Sequence, residues 1–349
     1  MTESARPETD SIESDSSELH DDRPLPDDLP PVEPPSAKIV AQLFLVPGVI
    51  VLAIACVWLL LTRLASTDQD WKALVRGVET RNEHERWRSA FGLAQLLQSD
   101  AKAPPEEQKL VLNTELAGTL SKLFSEEIRQ PSNGEDDIEK RVFLAATLGL
   151  FKTPDVVLPA LCEGLDTSDR GVRNASLRSI STVLGKGFEA GSPSQDQVTF
   201  EAVATASADS DPLIRSLAAY TLGMFEFEKS QARLEILLND SNEGVRANAG
   251  IALVRHKSLL AVPQLKKMLE IGSAPSEANP EDPNGKQEEQ FSRRLQVLNA
   301  LTGIGTMKEV LPESDRKEFV ELIEKLAEGD SDPGIRVQAQ DTLVTLNGK

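Results

Sequence analysis

The residues best suited to proton transfer, nucleophilic attack or metal binding are few and scattered. The chain has three histidines, His20, His84 and His256, and two cysteines, Cys56 and Cys162. It contains no H-E-x-x-H zinc helix, no G-x-S-x-G nucleophile elbow and no phosphate-cradling P-loop. Two cysteines exclude a disulfide framework and a multi-cysteine zinc site. Cys162 sits in the apolar run VLPALCEGL and reads as a buried structural thiol rather than a nucleophile. His256 falls where Phe225 and Leu346 fall in sister segments, and reads as a helix-end residue with its polar tip in water. The acid pairs Asp136-Asp137 and Glu288-Glu289 sit in expected loops, where nothing desolvates them. The sequence therefore predicts no catalytic residue, no metal, no cofactor and no small-molecule substrate.

One pairing of acid and base does recur. DSDPLIR spans Asp209–Arg215, DSNEGVR spans Asp240–Arg246, DSDPGIR spans Asp330–Arg336 and TSDRGVR spans Thr167–Arg173. Each opens an apolar stripe at i, i+4, i+8 and i+11, the spacing of one helix face. The stripes are Ile214, Ala218, Leu222, Phe225; Val245, Ala249, Leu253; Ile335, Ala339, Leu343, Leu346; and, more weakly, Val172, Ser176, Ile180, Val183. Asp211 and Asp332 precede prolines, and an aspartate N-cap followed by proline at the first helical position marks a helix start. The motif arginine then falls near the helix N-terminus, where a cation opposes the macrodipole at about 0.3–1 kcal/mol. It needs a carboxylate, and the recurring aspartates supply one. The motif residues Asp169, Arg173, Asp211, Arg215, Asp240, Arg246, Asp332 and Arg336 are thus structural, and an Asp–Arg ladder between successive units is expected.

An apolar helix precedes each motif: Val156–Leu165, Phe200–Ala208, Leu234–Leu238 and Phe319–Leu326. Each unit is then a helical hairpin. This resembles the HEAT repeats, most closely the subtype first recognised in phycobilisome lyases, where aspartate and proline precede a valine–arginine pair and an alanine-rich helix. LAAYTLG (Leu217–Gly223) and LAATLG (Leu144–Gly149) look like that alanine-rich part, whose small residues allow close helix packing. The resemblance implies an all-α solenoid, and at roughly 40 residues per repeat the segment 63–349 holds about seven hairpins. It is strongest over 154–256 and 315–347. Over 70–151 the motif is blurred, with Trp87-Arg88 in place of the usual pair. The unit at 260–305 lacks an aspartate–proline start, and 272–290 reads as a mobile acidic insert between its helices.

Two further segments precede the repeats. Residues 1–38 hold 11 acidic and 3 basic side chains, with six prolines between Pro24 and Pro35. That composition predicts a disordered acidic tail. Residues 39–62 carry no charge over 24 positions, and about 20 apolar residues suffice to span a bilayer. A single transmembrane helix is expected there. Arg23 and Lys38 on one flank against Arg63, Lys72, Arg76 and Arg81 on the other lean toward a cytoplasmic solenoid by the positive-inside rule. That margin leaves the opposite orientation open.

The net charge of −19 disfavours nucleic acid as a partner, since a phosphate backbone is repelled. The sequence-level reading is a membrane-anchored, non-catalytic scaffold that binds another protein through its repeat surface, with the acidic balance matching a partner with a basic face or serving simple colloidal solubility. The resemblance also implies an alternative, a bilin- or tetrapyrrole-binding lyase. A structural spacer at the membrane is a third reading.

Overall fold

The computed structural model describes residues 45, 48–58, 71–132, 134–273 and 283–348. The acidic tail expected over 1–38 lies outside the described residues. Two units are distinguished, Met1–Thr67 and Asp68–Lys349.

The transmembrane helix expected over 39–62 is overturned. Among the described residues, no helix is long and apolar enough to cross a membrane. The described part of the helix in this segment, α1, covers 48–58. At 1.5 Å per residue it is about 16 Å long, roughly half of a hydrocarbon core. An uncharged run measures apolarity, whereas crossing also requires unbroken helix length. The single-pass membrane location, its cytoplasmic lean and the membrane as a partner fall with that helix.

The second unit is an all-α helical-repeat solenoid. Its helices pair in chain order: α2 (Trp71–Glu79) with α3 (Glu83–Lys102), α4 (Thr114–Arg129) with α5 (Glu135–Leu148), and α6 (Pro154–Leu165) with α7 (Arg170–Glu189). Next come α8 (Gln197–Ala206) with α9 (Pro212–Leu222) and α10 (Phe227–Leu237) with α11 (Glu243–Arg255). The last are α12 (Val262–Ser273) with α13 (Pro283–Thr306) and α14 (Glu313–Gly329) with α15 (Pro333–Leu346). These make seven hairpins among the described residues. Second helices stack on second helices, α5 on α7, α7 on α9, α9 on α11, α11 on α13 and α13 on α15, while α4, α6 and α8 stack in a first-helix layer. The described residues contain one isolated β-bridge, Ser194 to Phe225, and no strand.

Local sequence explains the hairpins. Asn82, Asn113, Asp169, Asp196, Asp211, Asn242 and Asp332 each cap a helix with a side-chain oxygen. Pro154, Pro212 and Pro333 stand in the first turn, where a missing N–H costs nothing. The stripes Ile214, Ala218, Leu222, Phe225 and Val245, Ala249, Leu253 are fully buried. So are Val172, Ser176 and Ile180 of the weaker copy. One continuous hydrophobic core results, since no single hairpin can cover both faces of its stripe.

The alanine-rich segments let neighbouring helices approach closely. A Cβ on Gly223 would stand 2.7 Å from Ala252 Cβ, and one on Gly149 2.7 Å from Ser179 Oγ. One expected loop is partly helix. Within 272–290, α12 continues to Ser273 and α13 resumes at Pro283, leaving 274–282 outside the described residues.

Candidate functional site

Each motif supplies two polar positions with different tasks. The second, four residues before the arginine, caps its own helix. Asp169 Oδ1 accepts from Val172 N at 2.9 Å, Asp211 Oδ1 from Leu213 N at 2.9 Å, and Asp332 Oδ1 from Gly334 N at 2.7 Å. In the third copy that place is taken by Asn242, which accepts from Val245 N at 3.2 Å. Replacing Asp169 with alanine is expected to cost about 1 kcal/mol in urea unfolding, and with asparagine only a few tenths.

The first position, six residues before the arginine, reaches back to the preceding unit. Arg173 Nε donates to Asp209 Oδ2 at 3.0 Å. Arg215 grips Asp240 with two bonds, Nε to Oδ2 at 2.8 Å and Nη2 to Oδ1 at 2.9 Å. Arg293 on α13 pairs with Asp330, and two of the cap carboxylates reach back as well, Asp211 to Arg170 and Asp332 to Arg294 at 3.3 Å. The remaining guanidinium donors hold carbonyls of their own interhelix loop. Arg173 Nη1 reaches Ser168 O at 2.8 Å, Arg215 Nη1 reaches Asp209 O at 3.0 Å, Arg246 Nη1 reaches Asp240 O at 2.8 Å and Arg336 Nη1 reaches Asp330 O at 2.6 Å. Hydrogen bonds from Arg215 hold the Asp240 carboxyl below its ordinary range against the opposing effect of burial, and the pair raises Arg215 in turn. Arg170 does the same to Asp211.

The ladder has gaps, and the sequence contains their cause. In TSDRGVR the first position is Thr167, a hydroxyl that cannot pair with a cation; it donates to Gly164 O at 3.0 Å instead. The basic residues of α5 accordingly turn inward to their own unit, Lys140 to Glu127 at 2.7 Å and Arg141 to Gln130 O at 2.8 Å. The α12–α13 unit has no motif to receive Arg246, which has no carboxylate in ion-pair range among the described residues. One motif arginine was missed. Arg86 on α3 donates to Thr80 O at 3.3 Å and pairs with Asp136. Its signal is the cap Asn82 four residues upstream, which the Trp87-Arg88 reading passed over.

These rungs fix α7, α9 and α11 side by side, and a groove opens over them. The outer stripe of α7, with Arg178, Thr182 and Glu189 exposed and Asn174 and Gly185 half-buried, forms its floor. One part, about 660 Å³, is bounded by Val142 and Ala146 of α5, by Leu150 just beyond it and by Leu213 of α9. The other, about 570 Å³, is bounded by Leu217, Tyr220 and Met224 of the α9 segment and by Arg255 of α11. Arg178 and Thr182 line both parts. The Arg255 guanidinium lies 3.9 Å from the Tyr220 ring centroid and donates to Tyr220 O at 2.8 Å. Lys186 Nζ donates to the carbonyls of Gly149, Leu150 and Phe151 at 3.4, 3.3 and 3.3 Å, closing the C-terminus of α5. Burial pushes both cations below their ordinary values, with Lys152 adding repulsion at Lys186 and Tyr220 partly offsetting at Arg255.

The single reactive-type residues stand apart from this groove. Cys162 is buried, bonded to Thr199 Oγ1 at 3.7 Å, and burial pushes its thiol up to about 11. His256 differs from its expected setting. Its ring is packed against Phe188 and Phe227, with centroids 5.9 and 5.2 Å away, and its Nε2 is buried without a partner. Burial lowers its pKa. The wet polar tip assumed from its helix-end position is covered by the aromatic residues of the α7 and α10 segments. Among the described residues, no group of three or more His, Cys, Asp and Glu side chains could hold a metal ion.

Comparison with known proteins bears on the fold. No curated protein matches the chain. Solved structures similar to it include the complex of CpcE and CpcF of phycocyanin lyase from Nostoc sp. PCC7120, at 14% identity and TM-score 0.43 over 79% of this chain and 94% of that one. A designed armadillo repeat protein solved with the peptide (KR)4 is 17% identical at TM-score 0.38, over 80% of this chain and 100% of that one. An engineered protein, target OR497, is 15% identical at TM-score 0.46, over 80% and 68%. Likeness at this level carries nothing about function. In sequence, residues 201–276, from within α8 into the segment after α12, match the family of HEAT repeats.

Proposed function

We propose that this chain is a non-catalytic docking platform that binds a segment of another protein along the α5–α7–α9–α11 groove. The observation that carries this reading is the continuity of the groove: its two parts share Arg178 and Thr182 and draw side chains from successive repeats. Stacked repeats offer an extended surface of this kind, rigid because every wall is a packed helix. Asn174, Thr182 and Tyr220 provide hydrogen-bonding groups along it, and Val142, Ala146 and Leu213 an apolar wall.

The test uses the full-length chain in its source cells with a photoreactive amino acid at Thr182. Position Lys317 on the exposed side of α14 is the control. The expected outcome is a discrete protein adduct from position 182 that position 317 does not give. Equal labelling at both positions, or no adduct at 182, overturns the platform. So does stoichiometric visible absorbance in the purified chain, which belongs to the tetrapyrrole alternative.

A further inference from the structure

Resting on that platform reading, we infer that the groove accepts an extended acidic peptide with an apolar residue near one end. The charge on these helices runs against that of the whole molecule. The chain carries 37 Lys and Arg against 56 Asp and Glu. On α7, α9 and α11 the basic residues are Arg170, Arg173, Arg178, Lys186, Arg215, Arg246 and Arg255, and the acidic ones only Glu189 and Glu243.

Where these cations are neutralised matters more than their number. Arg170, Arg173 and Arg215 are consumed by ladder carboxylates. Three others, Arg178, Lys186 and Arg255, line one part of the groove, and none has a carboxylate in ion-pair range among the described residues. Arg178 bonds the neutral Asn174 at 2.8 Å, Lys186 takes backbone carbonyls, and Arg255 takes a carbonyl and a ring face. Glu189 is the single acid facing them in that part. Three cations against one acid leave this part of the groove net positive, and the half-buried Lys186 and Arg255 gain most from an incoming carboxylate, because attraction strengthens as the local dielectric falls.

Geometry sets the length and pattern. The lining runs along α7 from Arg170 to Glu189, a rise of about 28 Å. An extended chain at about 3.3 Å per residue covers this with eight or nine residues. The part against α5 is walled by Val142, Ala146, Leu150 and Leu213, which suits an aliphatic side chain; carboxylates then lie over Arg178, Lys186 and Arg255. Composition alone had matched the acidic chain to a partner with a basic face. The local charge of the groove reverses that match.

The test is fluorescence anisotropy on the full-length chain with three labelled peptides of about nine residues. Each has one leucine near an end and otherwise glutamate, glutamine or lysine interspersed with serine. The glutamate peptide is expected to bind, to weaken with added salt, and to lose about tenfold in affinity on Arg178→Glu. Arg178 is exposed and its guanidinium bonds only the neutral Asn174 of its own helix, so an unchanged melting temperature certifies that the variant is folded. Ala146→Trp, which fills the apolar part, is expected to weaken the same peptide. If the glutamine or lysine peptide binds as well as the glutamate one, or Arg178→Glu leaves its affinity unchanged, the acidic inference is overturned and the platform stands. If no peptide binds, both are overturned.

Discussion

Replacing Gly223 with alanine lowers the stability of the repeat array by about 3 kcal/mol, the upper part of the range for overpacking. The new methyl would stand 2.7 Å from Ala252 Cβ and 2.8 Å from Ala252 Cα. Both atoms belong to α11 itself, so no flexible side chain can rotate away and the helix must shift. Gly185 provides the contrast. A Cβ there meets only the flexible end of Met224, Cε at 3.6 Å and Sδ at 3.8 Å. Gly185→Ala is therefore neutral or stabilising by up to about 1 kcal/mol, through helix propensity. The same substitution thus changes sign with position. Urea midpoints of the two variants decide it, and Ala252→Gly restores part of the Gly223→Ala loss. Equal midpoints for Gly223→Ala and the parent would show that α9 and α11 do not approach as closely as described.

Arg215→Ala costs about 2–3 kcal/mol, between the cost of a surface pair and that of breaking a buried one. The Arg215 side chain is 16% exposed and that of Asp240 12%. Its loss removes two bonds to the Asp240 carboxylate and the Nη1 donor shared by the loop carbonyls of Asp209 and Ser210. Lysine does not rescue it, because a point charge cannot replace the fork. Arg246→Ala, which loses only carbonyl bonds, costs less. The pH dependence carries the same signature. Asp240 is depressed in the folded state, so its contribution is full above the ordinary carboxylate value of about 4 and is lost as pH falls through the lower folded value. Asp240→Asn removes that part of the acid-induced loss. A parent and variant with parallel stability profiles below pH 4 would contradict the rung.

The repeat was legible because it is written in local chemistry. A cap, a proline and an arginine at fixed offsets define each helix start, and the apolar stripe after them defines its buried face. Even the break at Thr167 is readable once the two positions are separated by task. Arg86 was overlooked because Glu85 stands where the other motifs have valine or isoleucine before the arginine, although the four-residue offset from its cap is intact. The groove was not legible. Its walls come from α5, α7, α9 and α11, up to about a hundred residues apart in sequence, and no local pattern says which faces meet. Net charge says little about any one face for the same reason, since it sums over faces that never see the same ligand. The uncharged run at 39–62 misled in another way, because composition carries no information on how far a helix continues.

The uneven spacing of the rungs has a consequence for binding. Among the described residues no rung joins α5 to α7, none carries Arg246 onward, and the two rungs between, at Arg173–Asp209 and Arg215–Asp240, are consecutive. The stretch they brace is the one that carries the cationic part of the groove. A linear array has no distant contacts to borrow rigidity from, so these braces decide how much motion a ligand must quench on arrival. The chain has placed its stiffest joints where association would otherwise cost the most entropy.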